Sequence, residues 1–206
     1  MIITKIEKSK GGFLLHFKDH EALFLLEGVF VRHHLYKGGE LEEDEIPALL
    51  RESRLQEAIE LGLKKVTRHR TRGEIQGFLS REGFEEEIIH GALAYLEDYG
   101  YINDLEYALM YVHDRDRLQA QGPQKIRFAL REKGVSDKII EESLRDYPQN
   151  RQRDNLRKLM EKRFVGPGGE LKKTRPQMIR YFLQRGYYMG DVLAVLSEYE
   201  EPKNEL

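Results

Sequence analysis

Ile75-Gln76-Gly77-Phe78-Leu79-Ser80-Arg81-Glu82-Gly83-Phe84 is the stretch that makes the rest of the chain readable. It holds two apolar residues four apart, a glycine four further on, and then another apolar residue. The pattern returns as Ile126-x3-Leu130-x3-Gly134-Val135 and as Met178-x3-Phe182-x3-Gly186-Tyr187, with the glycines 51 and 52 residues apart. An i, i+4 apolar pair marks one face of a helix. A glycine just past it is the residue that ends a helix in the left-handed region at least cost. Beyond each glycine a second apolar stripe follows: Ile89 and Leu93, Ile140 and Leu144, Val192 and Leu196. One such match could arise by chance. Three at a common spacing predict a repeat.

Working outward, a longer amphipathic helix precedes each motif. Leu55, Ala58, Ile59, Leu63 and Val66 supply the first, Tyr107, Ala108, Tyr111 and Val112 the second, and Leu156, Leu159, Met160 and Phe164 the third. Entry signals stand where the short helices should begin: Thr71 with Glu74 as a capping box, Pro123 at a first helical position, and Thr174 before Arg175-Pro176. The unit is therefore three helices, present three times, and the segments divide as 51–102, 103–149 and 150–206. Residues 1–50 read differently. Ile2, Thr4 and Ile6 alternate with Ile3, Lys5 and Glu7; Gly11-Gly12 offers a turn; Phe13, Leu15 and Phe17 continue with period two. Ala22–Leu26 forms a short strand apolar on both faces, and Gly28–Leu35 is its expected cover. The fold class is mainly α, with three tandem three-helix repeats in an elongated array behind a small N-terminal strand-rich extension.

Composition bounds the function. The 206 residues contain no cysteine, which excludes a disulfide framework, thiolate metal sites and a cysteine nucleophile, and fits a reducing cytosol. No apolar run approaches the roughly 18–20 residues of a membrane span, and the N-terminus lacks a signal-peptide pattern; a soluble cytoplasmic protein is expected. The formal net charge of −2 hides an asymmetry. Residues 151–185 carry 11 Lys and Arg against only Asp154, Glu161 and Glu170.

Taken in order, Arg70-Thr71-Arg72-x-Glu74, Gly83-Phe84, Gly100-Tyr101-Ile102-Asn103-Asp104-x-x-Tyr107-Ala108, Gly122-Pro123-x-x-Ile126 and Lys133-Gly134-Val135 resemble the RecX family. Its members are regulators that bind the RecA recombinase. The resemblance covers about 51–200, and residues 1–50 look like the strand-rich extension of some members. It implies a curved array of three helical repeats lying along the groove of the RecA–DNA filament. Such a protein limits filament growth, strand exchange, ATP hydrolysis and the co-protease activity of the SOS response, with no catalysis of its own. The expected partners are RecA and its filament on DNA, with single- or double-stranded DNA as a direct contact, and the expected state is a monomer. Two features depart from the pattern: Pro176 lies inside the entry of the third short helix, and Phe164-Val165-Gly166-Pro167-Gly168-Gly169 is a glycine-rich connection read as a flexible linker.

Chemistry has little support in the residues. The seven histidines show no His-Glu-x-x-His spacing, so neither a metal nor a cofactor is expected. Asp114 and Asp116 alternate with Arg115 and Arg117 and read as a solvated helix face. Glu42-Glu43-Asp44-Glu45 reads as an acidic helix start, and Asp104 as an N-cap. Gly166–Gly169 lacks the lysine and the strand-to-helix setting of a phosphate loop. Two basic clusters remain as candidate RecA- or DNA-binding residues. The first is Lys64, Lys65, Arg68, Arg70 and Arg72, with no acid between Leu61 and Gly73. The second is Arg151, Arg153, Arg157, Lys158, Lys172, Lys173 and Arg175. Either fits phosphates or an acidic partner surface; the alternative role is to keep a long helix solvated. A helical-repeat protein that binds nucleic acid directly is the rival reading.

Overall fold

In the computed structural model, which describes residues 1–66, 69–145, 147 and 149–200, the chain opens as one antiparallel sheet of β1 (Ile3–Ser9), β2 (Gly12–Phe17) and β3 (Leu23–Leu26). Strict alternation fails in β1. The register shifts between Ile3 and Lys5, so Ile3 and Ile6, three apart, both pack into one core, while Ile2 is 55 % exposed. An irregularity of this kind moves a strand's apolar set to the other face. Helix α1 (Glu27–Arg32) covers the sheet with Val29, and Phe30 lies 4.2 Å from the Phe13 ring centroid. Only one face of β3 is covered in this way: Leu23 and Leu25 are buried, whereas Phe24 remains exposed.

Helix α2 (Ile46–Val66) serves two cores, which is why it is the longest in the chain. Its first turns place Leu49 against the sheet, and the Ser53 hydroxyl accepts from the Leu26 amide at 3.0 Å. Its later turns place Ala58 against α3 (Arg72–Arg81) and α4 (Glu86–Asp98), in a core that includes Ile75, Leu79 and Leu93. The helix thus begins inside the segment read as the strand-rich module. The acidic run 42–45 stands directly before it, with the Glu45 carboxylate accepting from the Glu42 amide. These elements form one compact unit, Met1–Ile102.

The second compact unit, Asn103–Leu206, holds six helices among its described residues. Helices α5 (Asp104–Gln119), α6 (Pro123–Glu132) and α7 (Asp137–Arg145) enclose Ala108, Ile126, Leu130 and Ile140. Helices α8 (Gln149–Phe164), α9 (Arg175–Gln184) and α10 (Met189–Glu200) enclose Leu156, Met178, Phe182 and Leu196. Each fully buried side chain of this size stabilises its core by about 1.5–3 kcal/mol relative to exposure.

The three short helices α3, α6 and α9 are each ten residues long and end in the same way. Gly83, Gly134 and Gly186 have φ of 81°, 77° and 88°. The next amide then reaches back to the second apolar residue of the pair: Phe84 to the Leu79 carbonyl, Val135 to Leu130 and Tyr187 to Phe182, at 3.1–3.2 Å. This is the Schellman closure, in which a left-handed glycine lets the following residue fold back onto the helix end. Phe84, Val135 and Tyr187 are accordingly buried. At the other ends, Thr71 and Glu74 form the expected capping box, and Pro123 occupies a first-turn position behind the cap Gly122.

Two local expectations are corrected. Asn103, not Asp104, caps α5: its side chain accepts from the Glu106 amide at 3.0 Å, and Asp104 is the first helical residue. The glycine-rich connection after α8 is a tight reversal. Val165 bridges Leu171, the Lys172 amide donates to the Phe164 carbonyl at 2.8 Å, and Gly169 turns the chain at φ 84°.

Candidate partner interface

The first basic cluster sits where α2 ends and α3 begins. Lys64 and Lys65 lie in the last turn of α2, where cations favour the helix dipole, and Lys65 Nζ stands 4.4 Å from the Phe78 ring centroid. The sequence around them has no acid, but the fold supplies two. Arg70 meets Glu74 at 3.3 Å and Arg72 meets Glu97 at 3.1 Å. Arg68 lies outside the described residues.

The second cluster divides more sharply. Arg151 reaches Asp116 at 3.0 Å, Arg153 reaches Asp191 at 3.1 Å, and Arg157 grips Glu198 with two bonds of 2.7 and 2.8 Å while also meeting Asp154. Arg175 pairs with Glu200 at 2.6 Å. The guanidinium hydrogen bonds hold the Glu198 carboxyl below its ordinary value and raise Arg157. Lys158, Lys172 and Lys173 are exposed, and among the described residues no acid pairs with them.

Asp116 overturns the solvated-face reading of α5. It is 4 % exposed and held between Arg151 and the Asn155 amide, whereas Asp114 does lie in solvent. A buried carboxylate requires such partners, since an isolated charge away from water is costly.

Around Asp116 the two helix sets of this unit are clasped. The Gly122 amide donates to the Arg185 carbonyl at 2.8 Å, and the Gln124 amide to the Gly186 carbonyl at 3.0 Å. The backbones approach so closely that a Cβ at Gly122 would overlap the Gly186 carbonyl. Three successive carbonyls between α5 and α6 are each engaged: Gln119 by Arg185 Nη1 at 2.7 Å, Ala120 by the Tyr187 hydroxyl at 2.8 Å, Gln121 by the Tyr147 hydroxyl at 3.3 Å. These bonds hold Ala120 in the left-handed region at φ 46°, which a residue with a Cβ seldom adopts. Burial pushes the Tyr147 and Tyr187 phenols well up. Arg127 adds a further link, donating to Glu141 through two nitrogens and to the Tyr188 hydroxyl at 3.0 Å.

The clasp also forms an open cleft of about 670 Å³ that sequence reasoning missed. Among the described residues, Arg117, Lys125, Lys162 and Arg185 line it and no acid does. The four belong to α5, α6, α8 and the end of α9, so no local charge run could have announced them. Among the described residues, no group of three His, Cys, Asp or Glu side chains is placed to hold a metal ion, and no helix is long and apolar enough to cross a membrane.

Comparison with known proteins bears directly on this arrangement. The family model described as RecX, second three-helix domain, matches residues 103–144, which span α5 to α7. Regulatory protein RecX of Bacillus cereus strain B4264 is 34 % identical over 99 % of this chain and 79 % of its own length. The chain belongs to the RecX family. Regulatory protein RecX of Clostridium tetani strain Massachusetts / E88 is 27 % identical over 95 % of this chain and 93 % of its own length. A crystal structure of regulatory protein RecX aligns with a TM-score of 0.74 and 26 % identity, covering 95 % of this chain and 98 % of the other. RecX from Lactobacillus salivarius shares the fold, with a TM-score of 0.64 over 71 % of this chain and 97 % of the other at 23 % identity. RecX members are named as regulatory proteins, which implies a regulatory role here.

Proposed function

We propose that the chain inhibits the RecA recombinase by binding along RecA–DNA filaments, limiting their growth and with it strand exchange, ATP hydrolysis and co-protease activity. No chemistry of its own is required, and the work belongs to the cytoplasm, where RecA filaments form. The observation that carries the reading is the family relationship along almost the whole chain, under the name of a regulatory protein. The distribution of charge supports it. Helical repeats offer extended surface for a long partner, and Lys158, Lys172 and Lys173 keep their charges available at that surface. The arginines of both clusters are a weaker part of the interface, because a guanidinium already paired with a carboxylate must exchange it for any phosphate or acidic side chain it meets.

The test is the single-strand-dependent ATP hydrolysis of RecA with and without the full-length chain. Inhibition at substoichiometric protein is the expected result. Unchanged hydrolysis at excess protein would overturn the proposal. Direct binding of nucleic acid remains a second reading because the acid-free cleft favours it.

A further inference from the structure

We propose that the cleft lined by Arg117, Lys125, Lys162 and Arg185 binds the sugar–phosphate backbone of single-stranded nucleic acid. The inference deepens the filament reading, and rests on it only for the presence of nucleic acid near the protein.

The first support is the contrast in charge. Elsewhere in this unit Arg151, Arg153, Arg157 and Arg175 each meet a carboxylate. In the cleft, four cations converge from four separate elements with no acid among the lining residues. Like charges brought together repel, and such a gathering persists most readily where an anion is to be received. Among the described residues, Arg117 meets the His113 ring at 3.2 Å, and Lys125 and Lys162 are exposed without an ion-pair partner.

The second support is the hydrogen-bonding inventory. Arg185 is fixed by two bonds, Nε to the Tyr181 hydroxyl at 2.8 Å and Nη1 to the Gln119 carbonyl at 2.7 Å. Its guanidinium is therefore oriented before any ligand arrives, with donors remaining. The carbonyls of 119, 120 and 121 already accept bonds. The main-chain carbonyls of the cleft are thus engaged, while its cations keep donors to offer. The sugar–phosphate backbone of DNA brings acceptors alone and fits. An acidic peptide brings main-chain N–H groups as well, and the lining holds no strand edge to meet them.

The third support distinguishes one strand from two. Leu118, beside the cations, is 78 % exposed. An unstacked base can cover such a side chain, whereas a duplex keeps its bases inside and presents only a backbone edge. Single strands are held without sequence preference by a cationic groove with aromatic side chains on which bases stack; here Leu118 offers an apolar contact in that place.

The test is fluorescence anisotropy with the full chain, a labelled 20-mer of deoxythymidine, and a duplex of equal length. Single-strand binding should be the tighter. With four phosphates at roughly −0.7 each, log K against log salt should have a slope of about −2.8, an affinity loss of about 50-fold between 50 and 200 mM salt. The double variant Lys125→Gln/Lys162→Gln should bring the slope to about −1.4, and Arg117→Gln alone should lower it by one such step. Lys10→Gln/Lys18→Gln, exposed in the turns on either side of β2, should leave binding unchanged.

Equal or tighter duplex binding would overturn the single-strand assignment. Single-strand binding lost in the Lys10/Lys18 variant, but kept in the Lys125/Lys162 variant, would place the nucleic acid elsewhere. A labelled 12-mer of glutamate that binds through Lys125 and Lys162 where the oligonucleotide does not would make the cleft a peptide site. If the Lys125/Lys162 variant still inhibits RecA while no chain binds the oligonucleotide, the cleft proposal fails and the filament proposal stands. Oligonucleotide binding without any inhibition of RecA gives the reverse.

Discussion

The arginines of α8 and the cations of the cleft belong to one compact unit, and their fates are opposite. In sequence, Arg151, Arg153 and Arg157 form a dense block that invites reading as an anion-binding surface. In the structure each meets an acid, two of them buried, so these arginines hold α8 to α5 and α10. Arg117, Lys125, Lys162 and Arg185 are spread along the chain, and none stands out. Folding gathers them without an acid. Charge density along a helix therefore reports how many charges are present, while their availability depends on which distant carboxylates the fold brings up.

The strongest way to break this comparison is to reverse the arginines that meet buried acids. Arg151→Glu/Arg153→Glu sets carboxylates against Asp116 and Asp191, and urea unfolding at pH 7 should show a loss of about 2–4 kcal/mol, less than for fully enclosed pairs because both guanidiniums are part-exposed. A chain as stable as the parent would mean the pairs hold nothing together. Next in size is Gly122→Val, which leaves every charge in place but forces the clasp apart. Overpacking at that contact should cost about 1–3 kcal/mol and abolish any anion binding in the cleft.

The phenols sharpen the comparison by pH. Burial raises Tyr147 and Tyr187 above their unfolded value of 10.0, so their contribution is complete below that value and declines as pH rises through it. Ultraviolet titration should find two tyrosines of the eleven silent until near-ultraviolet dichroism is lost. Ionisation of all eleven before that loss would place the phenols in solvent.

Arg157→Gln should change stability little, since its pair with Glu198 is exposed. The direction with pH is fixed: Glu198 is lowered from 4.5, so the pair contributes above that value and its contribution fades as pH falls through the lowered one. A difference between variant and parent that grew toward acid would contradict the pairing. Smallest of all, Lys158→Gln/Lys172→Gln/Lys173→Gln should change stability by less than about 0.5 kcal/mol while weakening RecA inhibition, which separates surface charge from structural charge.

Features set by neighbouring residues were legible in the sequence. The capping box of Thr71 and Glu74, Pro123 in its first turn and the left-handed glycines 83, 134 and 186 each depend on a few consecutive residues, and each stands where the pattern places it. Asn103 displaced Asp104 as a cap because two adjacent capping side chains give the same local signal. Asp116 was misread because its partners, Arg151 and Asn155, lie beyond the reach of any helical periodicity. The reversal after α8 reads as a linker in the sequence, since composition shows glycine but not the pairing of Val165 with Leu171. The cleft was illegible for a different reason: it exists only once α6 meets the end of α9.

That meeting has a consequence for the order in which the protein is made. On the ribosome α5 and α6 emerge well before residues 185–187. Until those arrive, the amides of Gly122 and Gln124 and the carbonyl of Ala120 have only water to bond, because their partners are Arg185, Gly186 and Tyr187. The middle helices thus await residues 185–187 to complete their own connecting turn. A nascent chain stalled before residue 185 would carry an α5–α6 turn still open to solvent.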